Sequence, residues 1–428
     1  MYRKLRMMAL IAVLIIMALT PSIMKGPFTP LIEQTDNQSQ PFDLQANVEG
    51  RHEQVQLHIQ CAVSEEAFTL IQSVSRDFEQ RNPHVTVNLL RVDTPIEMDG
   101  IYASHEYDVF MLPHEQVVHV AASGMLTNTE LDSILKRNEE YWPAIINPFR
   151  WNGYTWGVPF LVDPYVLVYH KGIMQEAGRS EQDLASLKGI LQLHHERYAM
   201  GDNNLGLYVN PQDANAILSL ASVFEVSKAE QSEAGLLTMS ALLSPNNSET
   251  ESDSTDRKDW QEIFPVPRTD WNPWTELKSG RIAMMLVPAT EYVRHQEERI
   301  GVVAFPAYQD YAGLVRGKSM VVSAYSEAKD EAQAWIRAMM EPRLQIELMS
   351  IGEGFPAAAS PYGFFEQAGN QGMMKVVQDS MQQARPYYGK PKWDVLMREF
   401  NARWMKVYET GQDMEEMIPL TRQLLIAK

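Results

Sequence analysis

Between Val55 and Val92 the chain reads strand, helix, strand, and this succession restricts the fold more than any other feature. VQLHIQCAV alternates apolar and polar residues, as a half-buried strand does. SEEAFTLIQSVSRDFEQRNP spaces Phe68, Ile71, Val74 and Phe78 three and four residues apart, with Ser64 placed to cap the start and Pro83 to stop the helix. VTVNLLRV then reads as a second strand. Such a unit implies a parallel pair joined by a right-handed crossover. The alternation continues through YDVFMLP, the helix EQVVHVAASGML with Gly124 near its end, the apolar run FLVDPYVLVYH, a long helical stretch EQDLASLKGILQLHHERYAM, and a short strand between Asp202 and Gln212. TDWNPWTELKSGRIAMMLV reads as helix, Gly turn and strand, IGVVAFP as a strand, and SMVVSAYSEAKDEAQAWIRAMMEPRLQIELMSIGEGFP as strand, helix and loop before a helical C-terminal part. The class is α/β with mostly parallel sheets, and ligands of such sheets sit at the carboxyl ends of the strands.

At 428 residues the chain exceeds one ordinary core, and roughly 150 residues per domain makes two lobes the first expectation. A formal charge of −18 argues against nucleic acid, whose phosphates need clustered Lys and Arg. The single cysteine, Cys61, excludes an intramolecular disulfide and any Cys-based metal site, and it lies in an alternating strand where a buried, inert thiol is expected. It also lies too far from the apolar N-terminus to be a lipidation site. That N-terminus has Arg3, Lys4 and Arg6 ahead of thirteen unbroken apolar residues, Met7 to Leu19, the pattern of an export signal. Thr20 and Ser22 form a passable cleavage site, whereas the eighteen uncharged residues between Arg6 and Lys25 also suit a short signal anchor. Lys25 to Glu53 is polar and rich in Pro and Gln and reads as a tether.

Catalytic motifs are missing where they would be expected. His114 and His119 are five residues apart, about 140° around a helix, so they do not chelate one ion. His194 and His195 point to different faces and read as a solvated helix surface. Ser133-Ile-Leu-Lys136 and Ser326-Glu-Ala-Lys329 have the Ser-x-x-Lys spacing without the companion motifs of the serine enzymes that use it. Neither a Gly-x-Ser-x-Gly nor a phosphate-binding Gly loop is present. No enzyme activity, metal or cofactor is expected.

Taken in order, FTLIQSVSRDFEQRNPHVTV, YDVFML, ASGMLTN, WNGYTWGVPFLVDPYVLVYHKGIMQEAG, ELKSGRIAMML, SMVVSAYSEAKDEAQAWIRAMMEP and IGEGFPA resemble the extracellular solute-binding proteins of ABC transporters, in particular the carbohydrate-type family that includes maltodextrin-binding protein. The most specific pieces are GYTWGVP followed by VLVYHK, and SGRIAMM. The resemblance implies a two-lobed periplasmic-binding-protein-like fold with the ligand cleft between lobes. It implies residues 1–24 as signal peptide or anchor, 25–53 as tether, 54–162 and 301–342 as the N-lobe, and 163–300 and 343–428 as the C-lobe. FLVDPYVL would be the first crossing and IGVVAFP the return, which puts Asp163 and Pro164 at the hinge with the acid facing the cleft. The implied ligand contacts are Glu65, His114, Glu115, Asp163, Tyr165, Asn210, Glu291, Tyr292, Phe355, Tyr387, Tyr388 and Trp393, because sugars need carboxylates or amides for their hydroxyls and aromatic faces for their C–H surfaces.

Three departures from the family pattern stand out. Pro288-Ala289-Thr290 replaces the usual Gly-Pro-Trp and so removes one aromatic platform, the acidic stretch SPNNSETESDSTD stands where relatives have a Gly pair, and the lipidation cysteine is absent. The resemblance implies an exported, monomeric receptor that captures a small solute, foremost a mono- or oligosaccharide, and delivers it to the permease of an ABC transporter. The alternative is a membrane-anchored sensing module that presents its closed state to a signalling protein.

Overall fold

A computed structural model describes residues 54–93, 106–129, 141–201, 204–224, 271–306, 314–358, 371–384, 391–410 and 414–425. The expected signal segment, the tether, the acidic SPNNSETESDSTD stretch, Tyr387 and Tyr388 lie outside the described residues. Among the described residues no helix is long and apolar enough to cross a membrane.

The first lobe begins with β1 (Val55–Ala62), α1 (Glu65–Arg81), β2 (Val85–Val92) and β3 (Val109–Pro113). β1 lies between β2 and β3, parallel to both, as the strand–helix–strand pattern requires. Ser64 caps α1 with its hydroxyl on the Ala67 N–H at 3.2 Å, Glu65 and Glu66 sit at the positive end of the helix dipole, and the buried stripe runs Ala67, Ile71, Ser75, Phe78. Phe68 and Val74 flank that stripe at the margin of the core. Cys61 is fully buried, and desolvation pushes its thiol up to about 12, which leaves it inert. After β3 come a 3-10 turn over His114–Gln116 and a short helix α2 (Val117–Ala122). The hairpin β4 (Arg150–Trp151) and β5 (Tyr154–Thr155) closes through Asn152 and Gly153 at φ of 51° and 82°, the positive pair that a two-residue hairpin turn demands.

β6 (Val158–His170) is thirteen residues long and buried along all but its last residue. Its first half pairs with a first-lobe strand up to Asp163 and Pro164, and its second half, from Tyr165, pairs with second-lobe strands. Asp163 and Pro164 thus stand where the strand changes neighbours. Proline has no N–H to donate there, and a place where one ladder ends is where a strand tolerates it.

The second lobe continues with α3 (Lys171–Glu176), α4 (Leu187–Ala199), β7 (Leu205–Val209), α5 (Ala214–Phe224), β8 (Ile282–Pro288), α6 (Ala289–His295) and β9 (Ile300–Ala304). β7 and β8 are parallel. His194, expected on a solvated surface, is buried; its Nδ1 accepts the Leu207 N–H at 3.1 Å and ties α4 to β7.

The chain then returns to the first lobe through β10 (Val315–Val322), α7 (Lys329–Met339), α8 (Pro342–Ser350) and β11 (Phe355–Pro356). It ends in α9 (Gln371–Gln383), α10 (Trp393–Thr410) and α11 (Met414–Leu425). The first-lobe core closes around Trp335 of α7, which is fully buried and donates its indole N–H to Ser75 of α1 at 2.9 Å, so the one polar residue in the α1 stripe is satisfied. The second-lobe core contains Trp393, Phe400 and Trp404 of α10 together with β6 and β8.

Two expectations about the crossings need correction. IGVVAFP does not itself re-enter the first lobe: Ile300–Ala304 still pairs with the second half of β6, with Val166 opposite Ala304, and first-lobe pairing resumes only at Val315, opposite Pro164. Likewise the segment after 342 does not pass directly to the second lobe, because α8 packs its Leu344 and Leu348 into the first-lobe core and β11 pairs with Val162 and Leu161. The sheets are also less parallel than expected, since β6 is antiparallel to β8, β9, β10 and β11. A strand that leads directly from one lobe to the other has no helical crossover to reverse its direction, so the segment that comes back lies against it head to tail.

Candidate functional site

A cleft of about 470 Å³ opens beside the middle of β6. On the first-lobe side it is lined by the ends of β1, β2 and β3 and by Arg316–Lys318 of β10, and on the other side by Asn215, Thr290 and Arg294. It therefore lies off the carboxyl ends of parallel strands, where an α/β sheet leaves a crevice.

Asp163 is the centre of this site. One carboxylate oxygen accepts the backbone N–H of Thr290 at 3.0 Å; the other accepts the Thr290 hydroxyl at 2.8 Å and Nη2 of Arg316 at 2.9 Å. Thr290 begins the second-lobe helix α6 and Arg316 lies on first-lobe strand β10, so this carboxylate fastens the two lobes where β6 passes between them. Arg316 also lies over the ring of Tyr165, 5.8 Å from its centroid. The Tyr165 hydroxyl donates to Asp213 at 2.8 Å, and Asp213 in turn caps α5 by accepting the Ala216 N–H at 3.1 Å. Burial works against the Arg316 charge, but Asp163, Tyr165 and Asp213 outweigh it and hold the guanidinium firmly protonated. Burial, and then Asp213, push the Tyr165 phenol well above its ordinary value.

The other cations of the cleft are committed in the same way. Lys318 pairs with Glu353, whose second oxygen accepts the Ser64 N–H ahead of α1 at 3.3 Å. Arg91 pairs with Asp93 at 2.5 Å. Arg294 reaches Glu291 at 3.0 Å and the Gly352 carbonyl at 2.7 Å.

Glu115 differs from all of these. It lines the cleft, yet its Oε2 is shut off from solvent and has no hydrogen-bond partner among the described residues. Burial pushes its pKa up; its own backbone N–H and Arg316 draw it back, and Asp394 raises it again.

Of the residues expected to bind ligand, the structure brings Glu115 and Asp163 to the cleft, with Tyr165 packed beneath Arg316. His114 lies behind the wall: it is buried, its Nε2 is 3.1 Å from the Lys318 carbonyl, and its ring stands edge-on to Phe149. Gly317 makes this possible, because a Cβ there would sit 2.3 Å from the His114 ring. Burial lowers the His114 pKa to about 4, so the imidazole is neutral. Glu65 is exposed on the first turn of α1. Asn210 is exposed and accepts the Gln212 N–H at 3.0 Å, a local turn. Glu291 is spent on Arg294. Tyr292 and Phe355 line a different cavity, of about 800 Å³, and Trp393 is wholly buried in the second-lobe core.

The residues that sequence reasoning missed are Thr290, Arg316, Lys318 and Glu353. A signal existed for three of them. Arg316-Gly-Lys318 places two charges at the start of an otherwise apolar strand, and Thr290 stands where an aromatic platform is absent.

A two-lobed α/β architecture with one long strand shared by both sheets and a polar cleft beside it is the class of the bilobal solute-binding proteins. Residues 74–362 match the model of the family described as bacterial extracellular solute-binding protein, and the chain belongs to that family. A comparison with curated protein sequences finds no match. Among solved structures, the sugar-binding protein MalE of Xanthomonas citri is similar with a TM-score of 0.68 at 19% identity, over 86% of this chain and 96% of that one. The GacH receptor of Streptomyces glaucescens, solved unliganded and with acarbose, has a TM-score of 0.64 at 19% identity, over 87% and 98%. An ABC transporter solute-binding protein of Thermotoga lettingae bound to α-D-tagatose has a TM-score of 0.61 at 14% identity, over 87% and 99%. Family and solved relatives alike are binding proteins.

Proposed function

We propose that the cleft beside β6 captures a carbohydrate-class solute outside the cytoplasm and that the closed, loaded form delivers it to an ABC permease. The observation that carries this reading is that polar groups from both lobes converge on one crevice at the carboxyl ends of β1, β2 and β3. A solute touching both sides binds the closed arrangement better than the open one and shifts the population toward it. The family supports the extracellular receptor role, and the bound sugars of the solved relatives support the solute class. The permease partner and the export of the chain through its N-terminal segment belong to the same proposal. The sensory alternative has no support in the family or in the solved relatives.

The test is a thermal-shift and calorimetric screen of the purified protein against mono- and oligosaccharides. A solute present at about 100 times its dissociation constant adds about 2.7 kcal/mol of stability. A panel in which no sugar raises the melting temperature or releases heat overturns the reading.

A further inference from the structure

We infer that the solute taken by this cleft carries a protonated amine that is held by Glu115, as an amino sugar would. The inference rests on the carbohydrate reading above and names a narrower ligand class within it.

It follows from which charges in the cleft are already used. Arg316 is held by Asp163, Lys318 by Glu353, Arg91 by Asp93 and Arg294 by Glu291. An anionic solute such as a uronate or a sugar phosphate would have to take one of these cations away from its own carboxylate. Among the described residues, Glu115 is the cleft-lining carboxylate with a buried oxygen that no donor satisfies, and a rotation of its side chain brings that oxygen to a ligand in the cleft. A buried, unsatisfied acceptor is costly, so a ligand that supplies the missing donor gains more there than at any paired group. A hydroxyl supplies the hydrogen bond but leaves a carboxylate charge buried, whereas an ammonium supplies the bond and the counter-charge together. The size of the cleft, about 470 Å³, suits a ligand of one or two sugar rings. Among the described residues no aromatic side chain lines it, so binding relies on polar contacts rather than on stacking. The chain's net charge of −18 draws cations toward it.

The charged groups around Glu115 fix the expected pH behaviour. Arg316 of β10 favours its ionised form and Asp394 of α10, itself bonded to His119 of α2, opposes it. An ammonium bound at Glu115 lowers that carboxyl's pKa in the complex. Affinity for the amine therefore rises with pH through the raised value that Glu115 has in the free protein, and affinity for a neutral sugar does not.

The experiment is titration calorimetry with glucosamine, galactosamine and mannosamine, their neutral parent sugars, and glucuronate and galacturonate, on the wild type and on Glu115→Gln and Glu115→Asp, each first checked for a cooperative melt. At least one amine is expected to bind about tenfold or more tightly than its parent. That preference should fall to within about twofold in Glu115→Gln and persist in part in Glu115→Asp. A parent sugar or uronate that binds as tightly as the amine, or an amine preference that survives Glu115→Gln, overturns the inference. If neutral sugars bind and amines do not, the inference fails while the carbohydrate reading stands; if no sugar of any charge binds, both fall.

Discussion

The hinge side of the cleft and its β3 wall each present one carboxylate, and the fold treats the two in opposite ways. Asp163 receives three donors, two from Thr290 and one from Arg316, drawn from both lobes. Glu115, on the turn after β3, keeps an oxygen that no donor among the described residues reaches. A carboxylate whose lone pairs are filled from within the protein is part of the frame, because any ligand would have to compete with donors already in place. One left unfilled weakens the frame slightly and keeps its binding capacity for something that arrives later. Proximity to the cleft alone does not separate the two roles; the hydrogen-bond partners do.

The most direct way to break the comparison is to remove the filled carboxylate. Asp163→Ala leaves the Thr290 N–H unpaired and Arg316 half-buried without its counter-ion, which should destabilise the protein by about 3 kcal/mol. Asp163→Asn keeps an oxygen for Thr290 and should cost about half as much. Denaturant melts of both variants read this directly. A loss below about 1 kcal/mol for Asp163→Ala would show that the lobes are not fastened there.

His114 tests the wall behind Glu115. Its ring is held neutral with a pKa lowered to about 4 from 6.5, so the unfolded chain takes up a proton that the folded one refuses. Stability should therefore be intact above pH 6.5 and fall as the pH drops through this window, by about 3 kcal/mol at pH 4. In His114→Gln the same pH scan should be flatter by that amount. Parallel scans would refute the buried placement of the ring.

Much of the frame was legible in the sequence because it is written in local periodicity. The strand–helix–strand start and the cap at Ser64 depend on residues within a few positions of one another. The change of partners at Asp163-Pro164 was legible only through the family resemblance, which implies a crossing there; an acid and a proline inside an apolar strand do not by themselves name the two lobes. The partners of Asp163 were not legible. Thr290 and Arg316 lie 127 and 153 residues further along the chain, and no local pattern connects them. The places of Trp393, Tyr292 and Phe355 were not legible either, because an aromatic that packs a core and one that stacks on a sugar look the same in a sequence. Burial alone tells them apart. The return crossing is hidden for a similar reason: IGVVA reads as a strand either way, and its pairing with the second half of β6 is set by tertiary packing.

Thr290→Val sharpens the hinge side further. Valine keeps the branched shape and the backbone N–H but removes the hydroxyl that donates to Asp163 at 2.8 Å. With Arg316 and the backbone donor still in place, the loss should be about 1 kcal/mol. The double variant with Asp163→Asn should cost less than the sum of the two, because both changes remove the same bond. Additive losses would mean that the hydroxyl serves some other partner.

The smallest effect on stability is expected at Glu115, and its sign is what matters. Glutamine has the same shape and no charge to bury, and the oxygen it replaces has no hydrogen bond among the described residues to lose. Burial raises the Glu115 pKa above its ordinary 4.5, so the folded protein holds this proton more tightly than the unfolded chain does. The cost of burying the charge is therefore absent at low pH, where both states are protonated, and grows as the pH rises through the raised value. Glu115→Gln should melt with the wild type near pH 4 and at the same or a slightly higher temperature at pH 7, the opposite direction to every change at Asp163. Thermal melts of the two proteins at these two pH values suffice. A glutamine variant that is clearly less stable at pH 7 would mean that the Glu115 carboxylate is bonded within the free protein after all, and the contrast between the two walls of the cleft would be lost.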